Sequence, residues 1–265
     1  MSIKIGDFVK GITDDYGVTN TKMTRGIVTD VRDGSIVVRV LDHDDDKIGM
    51  YIVDPEKFEV IGHQKQFDRA EVLKLLKDGC KKAILDYDLR GADLSYTDLS
   101  YTDLSYTNLS HINLSYTNLI HTDLKGAVLN GAVLKGAFLA GAVLNGADLS
   151  HTNLIHTDLS YTDLSYTDLN GAVLKGAVLN GAVLNGAVLK GADLRGADLD
   201  YSCYPLSRGS LHLKADKRLA CQLAYYLCSL QCDDADYIKM RNSILDFANQ
   251  FHRVNECGEL EEREI

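Results

Sequence analysis

Leucine falls on every fifth residue from Leu89 to Leu199, in 23 consecutive units without a miss. Two positions earlier each unit carries a small residue, Ala or Thr, with Tyr87 and Ile112 as the exceptions. A period of five fits neither the 3.6-residue period of an amphipathic helix nor the alternation of a lone strand. On an extended segment, residues two apart point to the same side, so Leu and Ala or Thr share an interior and the residue between them points out. A short fixed repeat of this kind predicts a solenoid, whose units stack around one common core. Each buried leucine contributes about 2 kcal/mol. A narrow axis of this length is therefore a sufficient core in a chain with no Trp and 8% aromatics.

The flanks follow other periods. Residues 1–62 hold strand-like runs at 3–12, 26–31, 35–41 and 51–60, with Arg32-Asp33-Gly34-Ser35 as a hairpin turn. Residues 63–84 read as a linker, setting no fixed angle at 63–67, followed by a capping helix. Asp68 is its N-cap, Glu71 completes a capping box and Phe67 with Val72 forms a hydrophobic staple. Val72, Leu73, Leu75 and Leu76 are its apolar stripe and Gly79 its stop. It is expected to cover the first rung, because an open solenoid end exposes unpaired strand and bare leucines. After the repeat, 204–265 predicts a helical hairpin that does the same at the other end. One helix lies near 215–230 and a second over about 236–254, with Tyr237, Met240, Ile244, Phe247, Ala248 and Phe251 on one stripe.

The units resemble those of the pentapeptide-repeat family, which read Ala-Asp/Asn-Leu-x-x; the resemblance covers 85–200, within a repeat domain expected over 85–203. It implies a mainly β fold, a right-handed quadrilateral β-helix with four units per coil. Here that gives just under six coils, rising roughly 28 Å at ~4.8 Å per rung. The run Lys4-Ile5-Gly6-Asp7-Phe8-Val9, with Arg25-Gly26-Ile27-Val28 and Phe58-Glu59-Val60, resembles a small Src-homology-3-like barrel. Gly209-Ser210-Leu211 and 251–258 resemble the tail of pentapeptide proteins from bacterial viruses and prophages, which implies a phage-borne protein.

Charge changes the picture on the rod. The chain carries a formal −10, and residues 86–200 hold thirteen acids against six bases. The outward residue before each leucine follows the coils, with Asp88, Asp93, Asp98 and Asp103 around the first and Asn108, Asn113, Asn118 and Asp123 around the second. Val128, Val133, Phe138 and Val143 then form an apolar belt and a candidate self-association surface. Polarity returns with Asp148, Asn153, Asp158 and Asp163, and a second belt runs from Val173 to Val188. Family members that inhibit DNA gyrase expose carboxylates and imitate a nucleic-acid backbone. The resemblance therefore makes Asp88, Asp93, Asp98, Asp103, Asp123, Asp158 and Asp163 candidate contacts for a basic protein. The valine belts, with Lys125, Lys135, Lys175 and Lys190 beside them, break any continuous phosphate-like track. The competing reading is that these aspartates keep the rod soluble.

A second candidate surface is aromatic. Tyr96, Tyr101, Tyr106, Tyr116, Tyr161 and Tyr166 share one repeat position with His111, His121, His151 and His156. Tyr offers a large contact area at low entropic cost. Four units per coil stack Tyr96 under Tyr116 and Tyr101 under His121. No catalytic constellation, metal site or cofactor motif is present in the sequence. The acidic run Asp42-His43-Asp44-Asp45-Asp46 lacks the rest of a calcium loop, and Cys221, Cys228 and Cys232 read as structural cysteines, not ligands. With no secretory leader or apolar span, a cytoplasmic location is expected. The chain reads as a three-part, non-enzymatic binding protein, a phage or prophage effector that blocks or redirects a host protein. That partner is a nucleic-acid enzyme or an antiviral defence component. The rod itself binds neither nucleic acid nor membrane. Two further readings are a DNA-mimicking gyrase inhibitor and a passive scaffold that self-associates, for example as a homodimer.

Overall fold

The residue before each leucine makes a parallel bridge with the residue twenty positions on, from Asp93 with Asn113 through Val183 with Cys203. Twenty residues are four units, so the chain turns four corners and lies down on itself. This computed structural model describes residues 3–4, 6–11, 23–32, 35–43, 50–53, 58–203, 214–230 and 232–262. Inside the four-sided rod the repeat leucines are buried, as are the Ala and Thr two positions before them. Most threonine hydroxyls stay satisfied there by donating to leucine carbonyls, in the same coil (Thr97 to Leu94, 2.7 Å) or the coil before (Thr117 to Leu94, 2.8 Å), while Thr102 and Thr107 donate to the carbonyls of Ser100 and Ser105.

Each corner is a tight turn in which the N–H three residues after a leucine returns to that leucine's carbonyl, as from Ala127 to Leu124 at 3.0 Å. The third residue of the turn is left-handed, at φ +60° in Gly126 and +55° in Tyr106, the backbone that a type II turn demands. The outward polar residue has a definite task at these corners. All fifteen Asp and Asn residues that precede a repeat leucine turn Oδ1 onto the backbone N–H two residues ahead. This Asx-type bond ties down the corner.

Strand β1 (Asp7–Gly11) pairs with both β2 (Met23–Arg32) and β5 (Phe58–His63), and β3 (Ser35–His43) and β4 (Met50–Val53) extend the sheet in the order β4-β3-β2-β1-β5. The run read as one strand over 51–60 is two, β4 and β5, on opposite edges. Among the described residues no β4–β5 pairing closes the sheet, so its described form is an open antiparallel sheet. The turn residues Asp33-Gly34 and Asp44–Asp46 of the acidic run lie outside the described residues.

The linker is held, contrary to the expectation of a free angle. Gln64 Nε2 donates to the carbonyls of Leu85 and Tyr87 at 3.0 Å each, and Lys65 bridges Tyr87 in parallel. Helix α1 (Arg69–Lys77) forms as read, with Asp68 accepting from the Glu71 N–H at 3.0 Å and Gly79 left-handed after it. Val72 joins the rod core, with Phe67, Leu75 and Leu76 packed against it. A 3₁₀ helix (Lys81–Asp86) that the sequence pattern did not announce brings Ile84 and Leu85 beneath the first coil.

At the far end, α2 (Lys217–Cys228) lays Leu219 on the last leucines. The single second helix expected over 236–254 is broken into α3 (Ala235–Ser243), α4 (Leu245–Ala248) and α5 (Val254–Cys257). The break at Ile244, φ −113° and ψ 7°, rotates the chain beyond it, so Ala248 and Phe251 face α2 while Met240 and Phe247 stay exposed. Burial pushes the Cys221 and Cys228 thiols up from the ordinary range. No helix among the described residues is long and apolar enough to cross a membrane.

Candidate functional site

The twenty-residue register sorts the outward residues into four faces. Face 1 carries Asp93, Asn113, Val133, Asn153, Val173 and Asp193, and face 2 carries Asp98, Asn118, Phe138, Asp158, Val178 and Asp198. Face 3 carries Asp103, Asp123, Val143, Asp163, Val183 and Cys203, and face 4 carries Asn108, Val128, Asp148, Asp168 and Val188. Each apolar belt therefore contributes one side chain to every face. Phe138 and Val143 are exposed while Val128 and Val133 are half-buried. On faces 2 and 3 an Asp or Asn lies on either side of each, so the belt encircles the rod without making a patch.

The candidate acids separate by face. Asp88 is clasped by Arg90 through two nitrogens, which holds its carboxyl below the usual range. Asp93 accepts from the Ser95 hydroxyl and N–H, which lower its pKa, and pairs with Arg69 of α1 at 2.9 Å. Asp98 is held low by Ser100 in the same way, with Lys81 at 3.7 Å. The N-terminal cap thus engages two acids of the first coil. Asp158 lies on face 2, and Asp103, Asp123 and Asp163 form a column on face 3, interrupted by Val143. No cation pairs with Asp123, Asp158 or Asp163 among the described residues.

The rod's own lysines and arginines are absent from the start of one corner, the one leading to face 3, which is met instead by Lys81 of the N-terminal cap at Ser100 and by Arg218 of the tail at Asp200. The corner leading to face 1 begins with Arg90 and Lys190, and that leading to face 2 with Lys135, Lys175 and Arg195. The corner leading to face 4 holds Lys125. The corner leading to face 3 begins with Ser100, Ile120, Ala140, Ser160, Asn180 and Asp200, none of them basic. Asp193 shows the contrast on face 1. It is buried between Arg195 at 2.7 Å and Lys175 at 3.5 Å, and Arg195 holds its carboxyl far below the ordinary range.

The tyrosines occupy three corners. Tyr96 and Tyr116 precede face 2 and stack at 5.1 Å and 16°, as the coil spacing predicted, while Tyr101 meets His121 at 5.2 Å. Tyr101 and Tyr161 edge face 3 on one side, about three-quarters exposed, and Tyr106 and Tyr166 edge it on the other. All ten Tyr and His residues at this repeat position are left-handed, with φ between 54° and 58°, as is Tyr201. Sequence reasoning missed this, although glycine at the same position in the other units was the signal. The rings also have a structural partner. Those of Tyr106, His111, Tyr116, His121, His151, His156, Tyr161 and Tyr166 lie over the glycine of the next coil.

A further cluster, at the last coil, was not anticipated from the sequence. Arg218 reaches Asp198 at 3.3 Å, His252 reaches Asp200 at 3.1 Å, and the Arg253 guanidinium sits 4.0 Å over the Tyr201 ring while also bonding its hydroxyl. The repeat phase, which continues one unit past Leu199, places Tyr201 at a corner, but nothing in it announces the arginines that meet that ring. The phage-type motif residues 209–211 lie outside the described residues.

The repeat pattern of the pentapeptide-repeat family, described as Pentapeptide repeats, matches residues 92–200 in overlapping blocks with eight copies. Residues 92–200 are pentapeptide repeats, and the rod they build is the quadrilateral β-helix of that family. Among solved structures it is similar to a pentapeptide repeat protein from the cyanobacterium Cyanothece 51142. That likeness has 22% identity over 49% of this chain and 84% of the other, at a TM-score of 0.30. A pentapeptide repeat protein of the Arabidopsis thaliana thylakoid lumen matches at 28% identity over 53% and 77%, TM-score 0.23. QnrB1, a plasmid-mediated fluoroquinolone resistance protein, matches at 18% identity over 54% and 93%, TM-score 0.23. No curated protein matches the chain.

Proposed function

We propose that this protein is a non-enzymatic effector, phage- or prophage-encoded, that binds a basic surface of a host protein in the cytoplasm. Occupying that surface blocks or redirects the host protein, which is a nucleic-acid enzyme or a defence component. The observation that supports this reading is the segregation of charge. Asp103, Asp123 and Asp163 share one face between tyrosine-edged corners, and the corner entering it has no Lys or Arg, while the other three corners carry all six bases of 86–200. Fixed carboxylates on a stiff support attract a cationic partner without the entropic cost of ordering them on contact. The column breaks at Val143 and Val183, which favours a discrete basic patch over a continuous DNA groove and so weighs against gyrase mimicry.

The corner bonds supply a clean test. Asn108, Asn113, Asn118 and Asn153 make the same Oδ1 bond as the aspartates, so Asp103→Asn, Asp123→Asn and Asp163→Asn together remove charge and leave the turns capped. The tagged full chain is used to capture partners from bacterial lysate at low and raised salt. A specific partner released by salt, and captured at least about tenfold less by the triple variant, is the expected result. A partner bound equally by the triple variant and indifferent to salt would overturn the reading.

A further inference from the structure

The last coil of the rod is already occupied by arginine, and what holds it recurs earlier on the same corner. Tyr201, three residues after Asp198, carries the Arg253 guanidinium on its ring, the edge of that guanidinium meets Glu256 of the tail, and Asp198 takes a second arginine, Arg218. Both arginines come from the tail beyond the rod. The Asp-Leu-x-Tyr element repeats at Asp158-Leu159-Ser160-Tyr161 and at Asp98-Leu99-Ser100-Tyr101, two and five coils before. All three tyrosines stand on the corner leading to face 3, with nearly identical backbone: φ 55° at Tyr101, 56° at Tyr161 and 58° at Tyr201. At Tyr161 two acids of the rod itself flank the ring, Asp158 before it and Asp163 after it. Neither acid pairs with a cation among the described residues. Tyr161 is 76% exposed.

We propose that Tyr161, flanked by Asp158 and Asp163, is a receptor for an arginine side chain of the partner, and that Tyr101 is a second one. The inference rests on the proposed binding of a basic protein and names its chemistry: the face selects arginine over lysine. A guanidinium is planar and weakly hydrated, so it stacks on an aromatic ring while its edge meets a carboxylate. An ammonium keeps its water and takes only the charge. Tyr101 and Tyr161 are three coils apart, roughly 14 Å at ~4.8 Å per rung, which an extended segment spans with about four residues. The occupant is therefore an extended segment with two arginines at that spacing, running along the rod.

The test compares a nona-arginine and a nona-lysine peptide of equal charge, bound to the full chain at about 0.15 M salt and followed by fluorescence anisotropy. Glycine stands at this corner position in Gly141 and Gly181, so Tyr101→Gly and Tyr161→Gly place the residue the backbone prefers, and circular dichroism checks the fold. The arginine peptide is expected to bind about tenfold tighter than the lysine peptide. The double glycine variant should lose that preference and keep its affinity for the lysine peptide, while Tyr161→Phe with Tyr101→Phe should keep the preference. Equal binding of the two peptides overturns the arginine receptor and leaves the acidic face standing. A preference that survives the glycine variant also overturns it. Failure of both peptides to bind removes the acidic face as well.

Discussion

At the residue scale, one repeat position carries the most unusual backbone of the molecule. Placing Tyr or His in the left-handed region costs about 1–2 kcal/mol each, and the chain does so ten times along the rod and again at Tyr201. Something must offset it, and the ring laid over the next coil's glycine is the visible contact. The arrangement is directional, because a Cβ at Gly126 would stand 2.5 Å from the Tyr106 ring, whereas at Gly146 nothing lies within 4 Å. Gly126→Ala must then meet both the left-handed penalty and a collision, and Gly146→Ala only the first. In urea melts Gly126→Ala is expected to lose about 2–4 kcal/mol and Gly146→Ala about 1 kcal/mol. Equal losses would show that the rings yield freely and lend the coil nothing. At the neighbouring position, the aspartates read from the sequence as solubilising or partner-binding charges prove first to be corner caps. A pattern of residue types could not show this, because a carboxylate that caps its turn still presents its charge at the surface, as Asp93 does to Arg69.

At the element scale, the two ends decide whether the rod is a soluble object. Each rung of a β-helix offers its backbone and its leucines to the next, so an uncovered end is a template for another chain. Helix α1 covers one end through Val72, and α2 covers the other through Leu219. Val72→Asp forces α1 either to bury a charge or to lift away, and lifting bares Leu89 and Leu94. Light scattering after a sizing column is expected to show self-association of the variant beside a monomodal wild-type peak. A variant that elutes like wild type would remove α1 as the cap. The capping helix was legible because its N-cap and glycine stop act within a few residues. The broken second tail helix was not, since an apolar stripe spaced for one straight helix is equally served by three short pieces packed on α2.

At the scale of the whole molecule, charge is distributed by face, and its titration sets the range of pH over which the rod is stable. Hydrogen bonds and ion pairs hold Asp88, Asp93, Asp98, Asp193 and Glu256 below their ordinary values. A carboxyl depressed in the folded state stabilises it fully above its unfolded value, about 4, and loses that contribution as pH falls toward the folded value. Thermal melts should thus be flat in this contribution from neutral pH to about 5 and fall steeply below about 4. A melting temperature that holds steady from about pH 5 down to about pH 2.5 would contradict the depressed carboxyls.

The period of five by itself determined the solenoid and its core, because burial of one leucine per unit is a local, repeated demand that each unit meets in the same way. The number of units, the N-terminal capping helix and the excess of acid on the rod could likewise be read from the sequence. Only the tertiary structure decided which of those acids stand together. Residues twenty apart become neighbours when the coil closes, so belts that look continuous along the chain are spread over four faces, and aspartates far apart in sequence gather on one. The clamp of Arg218 and Arg253 on Asp198 and Tyr201 was equally out of reach of the sequence. It joins residues as much as 52 positions apart, and nothing in a repeat unit signals where a tail beyond it will fold back.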